Sequence, residues 1–399
     1  MGARPEDLGL DSDRLERIAD LCHWYVDEGK FPGTSVVVAR RGQVVFRDTY
    51  GMADISNGRK LEDDTIFRIF SMTKPIASIA LMQLVEEGKV LLENPVHRYI
   101  PSFKDARVFA RGDAESYETV EPERPVTIHD ILTHMSGLGF SIGVGTVSEI
   151  YRKNGLGFGF RGMALPEYCD LLASLPLEFH PGTRWHYGAS TDVVGRVVEV
   201  VSGMTFDAYL EERIFGPLGM VDTAFWVPPE KQHRLAQNYM RRDRQLVPFP
   251  IALDEPPKML SGAGGLVGTT DDYQRFVTAL VRGGELDGVR IIGRKTLEYM
   301  TMNHLPGGVD LQTMGRESPA EAAMPGVGFG LGFGVVIDPP MQRSNASHGE
   351  YLWGGAASTS FWVDPLEEIT VVFMTQLFPS GTYPIRSQLR WVVNAALID

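Results

Sequence analysis

Ser71 and Lys74 stand three apart in the run Ser71-Met72-Thr73-Lys74, and together these side-chain types can make a nucleophile. A serine hydroxyl attacks poorly at neutral pH unless a base lies within hydrogen-bonding reach, preferably in a positive field. Residues three apart share a helix face, so a helix starting at Ser71 sets the Lys74 amine beside the Ser71 hydroxyl. Pro75 is tolerated because it falls in the first turn. The positive end of that helix contributes about 0.3–1 kcal/mol toward a developing alkoxide. A lysine placed there and partly desolvated gives up its proton more easily and can serve as base. This S-x-x-K follows a largely apolar run, Ile66-Phe67-Arg68-Ile69-Phe70, and precedes a stripe of Ile76, Ile79, Ala80 and Leu84 that ends at Gly88.

A second serine competes for the role. Gly139-Phe140-Ser141-Ile142-Gly143 matches the G-x-S-x-G elbow of α/β-hydrolases, which works only on a sharp turn between a strand and a helix. Upstream, 128–134 reads as a helix after Thr127, and downstream come Gly143, Gly145 and a loop, so that context is missing. His348 follows Ser141 in the chain, so residue order alone does not dismiss it.

The elements that must position Ser71 are legible around it. Residues 11–28 carry apolar positions at helical spacing, with Asp11 or Ser12 as cap. The β-branched runs 34–39 and 44–50 flank Arg40-Arg41-Gly42-Gln43 and read as a hairpin. A buried helix is expected over 76–87. From about 93 to 257 the texture changes to helical segments between Gly- and Pro-containing loops, with little strand signal. Strand signals return at 332–337, 356–363 and 369–376, and 383–397 reads as a closing helix. Strands at both ends with helices between predict an α+β fold: one antiparallel sheet built from both termini, flanked by the terminal helices. The expected division is a unit of 1–92 with 258–399 and an inserted helical unit of 93–257, with the active site between them.

With these residues in place, the chain resembles the serine β-lactamase and penicillin-binding-protein superfamily, in its class C-like branch, which includes family VIII carboxylesterases. Segments typical of that branch are Ile128-His129-Asp130-Ile131-Leu132-Thr133-His134-Met135-Ser136-Gly137-Leu138, Pro181-Gly182-Thr183, Phe215-Gly216-Pro217-Leu218-Gly219-Met220 and Ala263-Gly264-Gly265-Leu266. The resemblance implies a tyrosine facing the serine, at Tyr187 in Trp185-His186-Tyr187-Gly188-Ala189-Ser190. Beside Lys74 it could share the base role and return the proton to a leaving alcohol. The resemblance further implies that Trp353-Gly354-Gly355 stands where the lactamases carry Lys-Thr-Gly, and that the backbone N–H groups of Ser71 and Ala356 form the oxyanion hole. Class C lactamases usually have Asn two residues after the tyrosine; here it is Ala189. They have lysine where this chain has Trp353, so no cation greets a substrate carboxylate there. Trp353, Gly354, Gly355 and Ala189 are thus expected to shape a substrate pocket suited to an uncharged ester.

The expected activity is a serine carboxylesterase acting on short acyl esters through an acyl-enzyme. Alternatives are a β-lactamase, D-amino-acid peptidase or acyltransferase on the same fold, an α/β-hydrolase-type esterase using Ser141, or a non-catalytic scaffold.

Bulk properties narrow the partners. A content of 43% hydrophobic and 22% charged residues is that of a globular chain, and 399 residues exceed what one core usually serves. The net charge of −13 speaks against nucleic acid or an anionic membrane. Two cysteines, Cys22 and Cys169, imply no disulfide framework. The nine histidines show no H-E-x-x-H spacing, so no metal is expected, and His129, His134 and His186 read as structural. No glycine-rich run sits between a strand and a helix as nucleotide binding requires, and 155–162 reads as a loop over the site, so no cofactor is expected. The N-terminus lacks the apolar run of a signal peptide and no stretch suits a membrane span, so a cytoplasmic location is expected.

Overall fold

The computed structural model describes residues 4–157, 162–251, 255–315 and 324–399. The stretch 155–162 lies in part outside them.

Helix α1, Ser12–Asp27, starts where the Asp11 side chain accepts the Arg14 N–H, and buries Leu15, Ile18, Cys22 and Tyr25. The chain then enters β1, Gly33–Arg40, and returns in β2, Gln43–Asp54. Arg40 pairs with Gln43, and the two residues between them, Arg41 and Gly42, have φ of 50° and 71°. Two successive left-handed residues give a turn whose twist matches that of the strands. A short β3, Arg59–Lys60, follows, and the remaining sheet strands come from the far end: β4 Val327–Phe329, β5 Gly334–Val336, β6 Tyr351–Gly354, β7 Ser360–Asp364 and β8 Ile369–Met374. The order is β4-β5-β6-β7-β8-β1-β2-β3, antiparallel throughout. β1 and β8 are central neighbours, with Ser35 opposite Met374 and Val38 opposite Val371.

Every residue of β1 and β8 is buried because both sheet faces are covered. Alternation assigns the faces. Val36, Val38, Val371 and Phe373 pack with α1 and with the closing helix α6, Ile385–Asn394. Val372, Met374, Phe361 and Val363 join the larger core on the other face, where Tyr273, Phe276 and Val277 of helix α5, Thr270–Val281, meet them. Each fully buried aliphatic side chain contributes about 1.5–3 kcal/mol.

Helix α2, Thr73–Glu86, is buried on all sides from Thr73 to Leu84. A helix apolar all round belongs inside the core, and α2 packs there against helix α4, Ser190–Ser202. A further helix, α3, Leu165–Ser174, lies beside α4. The large core runs without a break from Ala53 to Met374, including Phe103, Ile131 and Val193.

The expectation of little strand between 93 and 257 needs correction. Val108–Gly112 pairs with Tyr117–Val120, and Tyr239–Arg242 pairs with Gln245–Pro248 and with Leu377–Phe378. These hairpins are short and largely exposed, so they lack the alternation that marks a half-buried strand. The strand expected over 356–363 starts only at Ser360, because 355–358 form the turn between β6 and β7. Among the described residues, no helix is long and apolar enough to cross a membrane.

Candidate active site

Ser71 lies just ahead of α2, in a single 3-10 turn, Phe70–Met72, rather than in the helix itself. The residue before it, Phe70, has φ of 45°, a left-handed conformation that costs a bulky side chain about 1–3 kcal/mol. The turn is held from several sides. The Tyr273 hydroxyl donates to Met72 O at 2.9 Å, Ile69 N–H donates to Leu266 O at 3.2 Å, and Leu266 N–H donates to Thr73 Oγ1 at 3.2 Å. Lys74, one turn on and only 4% exposed, donates through Nζ to Ser71 Oγ at 3.3 Å and to Ala263 O at 2.7 Å.

Tyr187 is buried just before α4, with its ring centre 4.4 Å from Lys74 Nζ. Trp353, expected to face the substrate, is instead 2% exposed and outside the cavity wall; its Nε1–H donates to Tyr187 Oη at 3.2 Å. An indole N–H aimed at the phenol oxygen stabilises negative charge there. The His134 ring packs 5.0 Å from that of Tyr187. Burial, with the Lys74 charge and His186 adding to it, holds His134 well below the ordinary histidine range, so it stays neutral. Ala189 is buried at the start of α4, its N–H donating to Gly139 O at 3.2 Å, and it too stands outside the wall.

The β6–β7 turn brings Ala356 to the same cavity as Ser71. A Cβ on Gly355 would lie 2.4 Å from Ile69 O and 2.2 Å from Thr359 Oγ1, so only glycine lets the turn press against the chain leading into Ser71. Behind it, Arg386 of α6 donates to Gly355 O at 2.8 Å and Thr359 O at 2.6 Å. Its guanidinium occupies the space a Cβ on Gly354 would need. Among the described residues neither the Ser71 nor the Ala356 backbone N–H has an acceptor, and both residues line the same cavity.

Asp192 belongs to this site although its sequence context gives no sign of it. Buried on α4, it accepts the Ser261 hydroxyl at 2.6 Å and the Ala263 N–H at 3.0 Å. The carbonyl of the same Ala263 receives Lys74. Burial pushes the Asp192 carboxyl up, against the pull of Ser261, Ala263 and the Lys74 charge. Asp192 therefore positions Lys74 through a backbone segment. Asp192→Ala is expected to lower kcat about 10- to 100-fold with a smaller change in KM, whereas Asp192→Asn, which keeps an acceptor oxygen, recovers most of it. Steady-state kinetics of both variants checks this, and equal losses would refute the positioning role.

Ser71, Lys74, Asp192, Ala263 and Ala356 line a cavity of ≈ 130 Å³ whose wall also includes Phe140, Ser141, Tyr168, Ile251 and Met259, while Tyr187 stands behind the wall against Lys74. Ser141 thus shares the cavity, but from a loop between helices Ile128–Leu132 and Thr146–Lys153, without a strand before it. No histidine lines the cavity among the described residues, and His348 borders a separate one.

A serine and a lysine on consecutive turns, under an antiparallel sheet built from both chain ends, define a serine hydrolase of β-lactamase fold. The chain belongs to the β-lactamase family, whose model matches residues 18–395. It is 33% identical to esterase EstB of Burkholderia gladioli, covering 98% of each chain. It is 32% identical to protein Rv1367c of Mycobacterium tuberculosis, over 93% of this chain and 91% of that one. Among solved structures it is similar to EstCE1, described as a hydrolase with promiscuous acyltransferase activity, with a TM-score of 0.82, 26% identity and coverage of 96% and 98%.

Proposed function

We propose that the protein is a carboxylesterase cleaving short-chain acyl esters through an acyl-enzyme. Ser71 Oγ attacks the ester carbonyl as Lys74 takes its proton. The oxyanion is held by the N–H groups of Ser71 and Ala356, a kind of contact whose loss typically costs about 10²–10³ in rate. The proton passes by way of Tyr187 to the leaving alcohol, the ester C–O bond breaks, and water then attacks the acyl-enzyme to release the acid and restore Ser71.

The observation that carries this reading is the Lys74 to Ser71 contact of 3.3 Å in a cavity where Lys74 is the only cation among the described wall residues, and it is engaged by Ser71 and Ala263. A neutral ester suits such a wall; a penicillin carboxylate would meet Asp192 and apolar rings without a partner cation. The likeness to EstB supports an ester substrate. The likeness to EstCE1 favours a second acceptor, an alcohol competing with water for the acyl group. The test is hydrolysis of p-nitrophenyl butyrate beside nitrocefin. A burst of about one p-nitrophenol per chain, with nitrocefin turned over at least 100-fold less efficiently, is the expected result; the reverse preference would make the protein a β-lactamase.

A further inference from the structure

The polar groups of the cavity wall fall into two sets. Ser71, Lys74 and the Ala263 carbonyl satisfy one another, and Asp192 is satisfied by Ser261 and the Ala263 N–H. Ser141 and Tyr168 stand apart. Both residues line the cavity, yet among the described residues neither side-chain hydroxyl makes a hydrogen bond, and each oxygen keeps accessible surface. Ser141 is 6% exposed and its own carbonyl is fixed by Arg152 at 2.7 Å, which holds the loop in place. Tyr168 rises from α3, half-buried. Burial, and after it the nearby Asp192, holds the Tyr168 phenol well above its ordinary range, so it keeps its proton and can donate.

We propose that Ser141 and Tyr168 recognise a second oxygen function on the acyl chain, a hydroxyl or carbonyl away from the scissile ester, so that oxygen-bearing acyl esters are preferred over plain alkyl ones. This rests on the esterase reading and deepens it. An apolar wall of Phe70, Phe140, Ile251 and Met259 alone distinguishes such acyl groups poorly. Two hydroxyls set among those rings favour the substrate that can pair with them, because the analogue without the oxygen leaves them unpaired.

The experiment compares p-nitrophenyl butyrate with both enantiomers of p-nitrophenyl 3-hydroxybutyrate. With the leaving group constant, kcat/KM of the wild-type protein is expected to favour one hydroxy ester about ten-fold. In Ser141→Ala and in Tyr168→Phe, each checked for folding by circular dichroism, that ratio is expected to fall toward one. A wild-type ratio near one, or a preference that survives both substitutions, overturns the inference and leaves the esterase reading standing. Turnover of none of the esters removes both.

Discussion

Ser71→Ala is expected to lower ester turnover by about 10⁴-fold or more, and to abolish covalent labelling by an active-site-directed phosphonate. Of the other serines in the described wall, Ser261 is held by Asp192 at 2.6 Å. Ser141, the serine of the elbow pattern, has no partner base among the described residues, whereas Ser71 Oγ has Lys74 Nζ at 3.3 Å. Residual activity in Ser71→Ala would come from the oxyanion donors and from binding alone, the level seen when a nucleophile is removed from a catalytic unit. Ser141→Ala makes the contrast: it retains labelling, and peptide mass spectrometry finds the adduct on Ser71. Adduct on Ser141, or unchanged turnover in Ser71→Ala, would transfer the nucleophile's role away from Ser71.

Lys74→Met is expected to lower kcat by about 10³–10⁴-fold. The amine is buried and donates both to Ser71 Oγ and to Ala263 O, a position that the methionine side chain cannot fill with a base. Because the two residues act as a unit, the double variant Ser71→Ala, Lys74→Met should be no slower than Ser71→Ala alone. The same substitution separates function from stability. Methionine fills a similar volume without placing an amine in the core, so the folded state is expected to gain about 1 kcal/mol, read as a higher thermal midpoint. A loss of both activity and stability would assign Lys74 a structural role instead.

What could be read from the sequence was whatever depends on spacing along one element. Ser71 and Lys74 are three apart, and α2 behind them is buried on every side, so their contact follows from local geometry. The central hairpin followed from β-branched runs around Arg41-Gly42, and the sheet from strands at both chain ends. Tyr187 and Ala356 came through resemblance. Asp192 was not legible, because it acts on Lys74 through the backbone of Ala263, 71 residues further along the chain. Trp353 was assigned to the pocket from its place in a motif, but a strand position does not say which neighbour its indole meets, and the neighbour is Tyr187. The left-handed Phe70 was invisible for a related reason. A bulky residue adopts that conformation only where surrounding contacts, here Tyr273, Leu266 and Thr73, impose it.

Arg386 ties the turn that carries Ala356 to the last helix of the chain, and this sets an order of events during synthesis. When the ribosome has made α2, Ser71 and Lys74 are present, but β1 still lacks its neighbour β8, which arrives more than 300 residues later. Ala356 emerges only shortly before β8, and the guanidinium that fixes its turn comes 31 residues after Gly355. A nascent chain therefore carries the proposed nucleophile long before the turn proposed to stabilise a tetrahedral adduct is in place. On the proposed mechanism, hydrolytic competence waits for the C-terminal helix to dock, so a chain arrested before Arg386 is expected to hold its serine and lysine and remain inert.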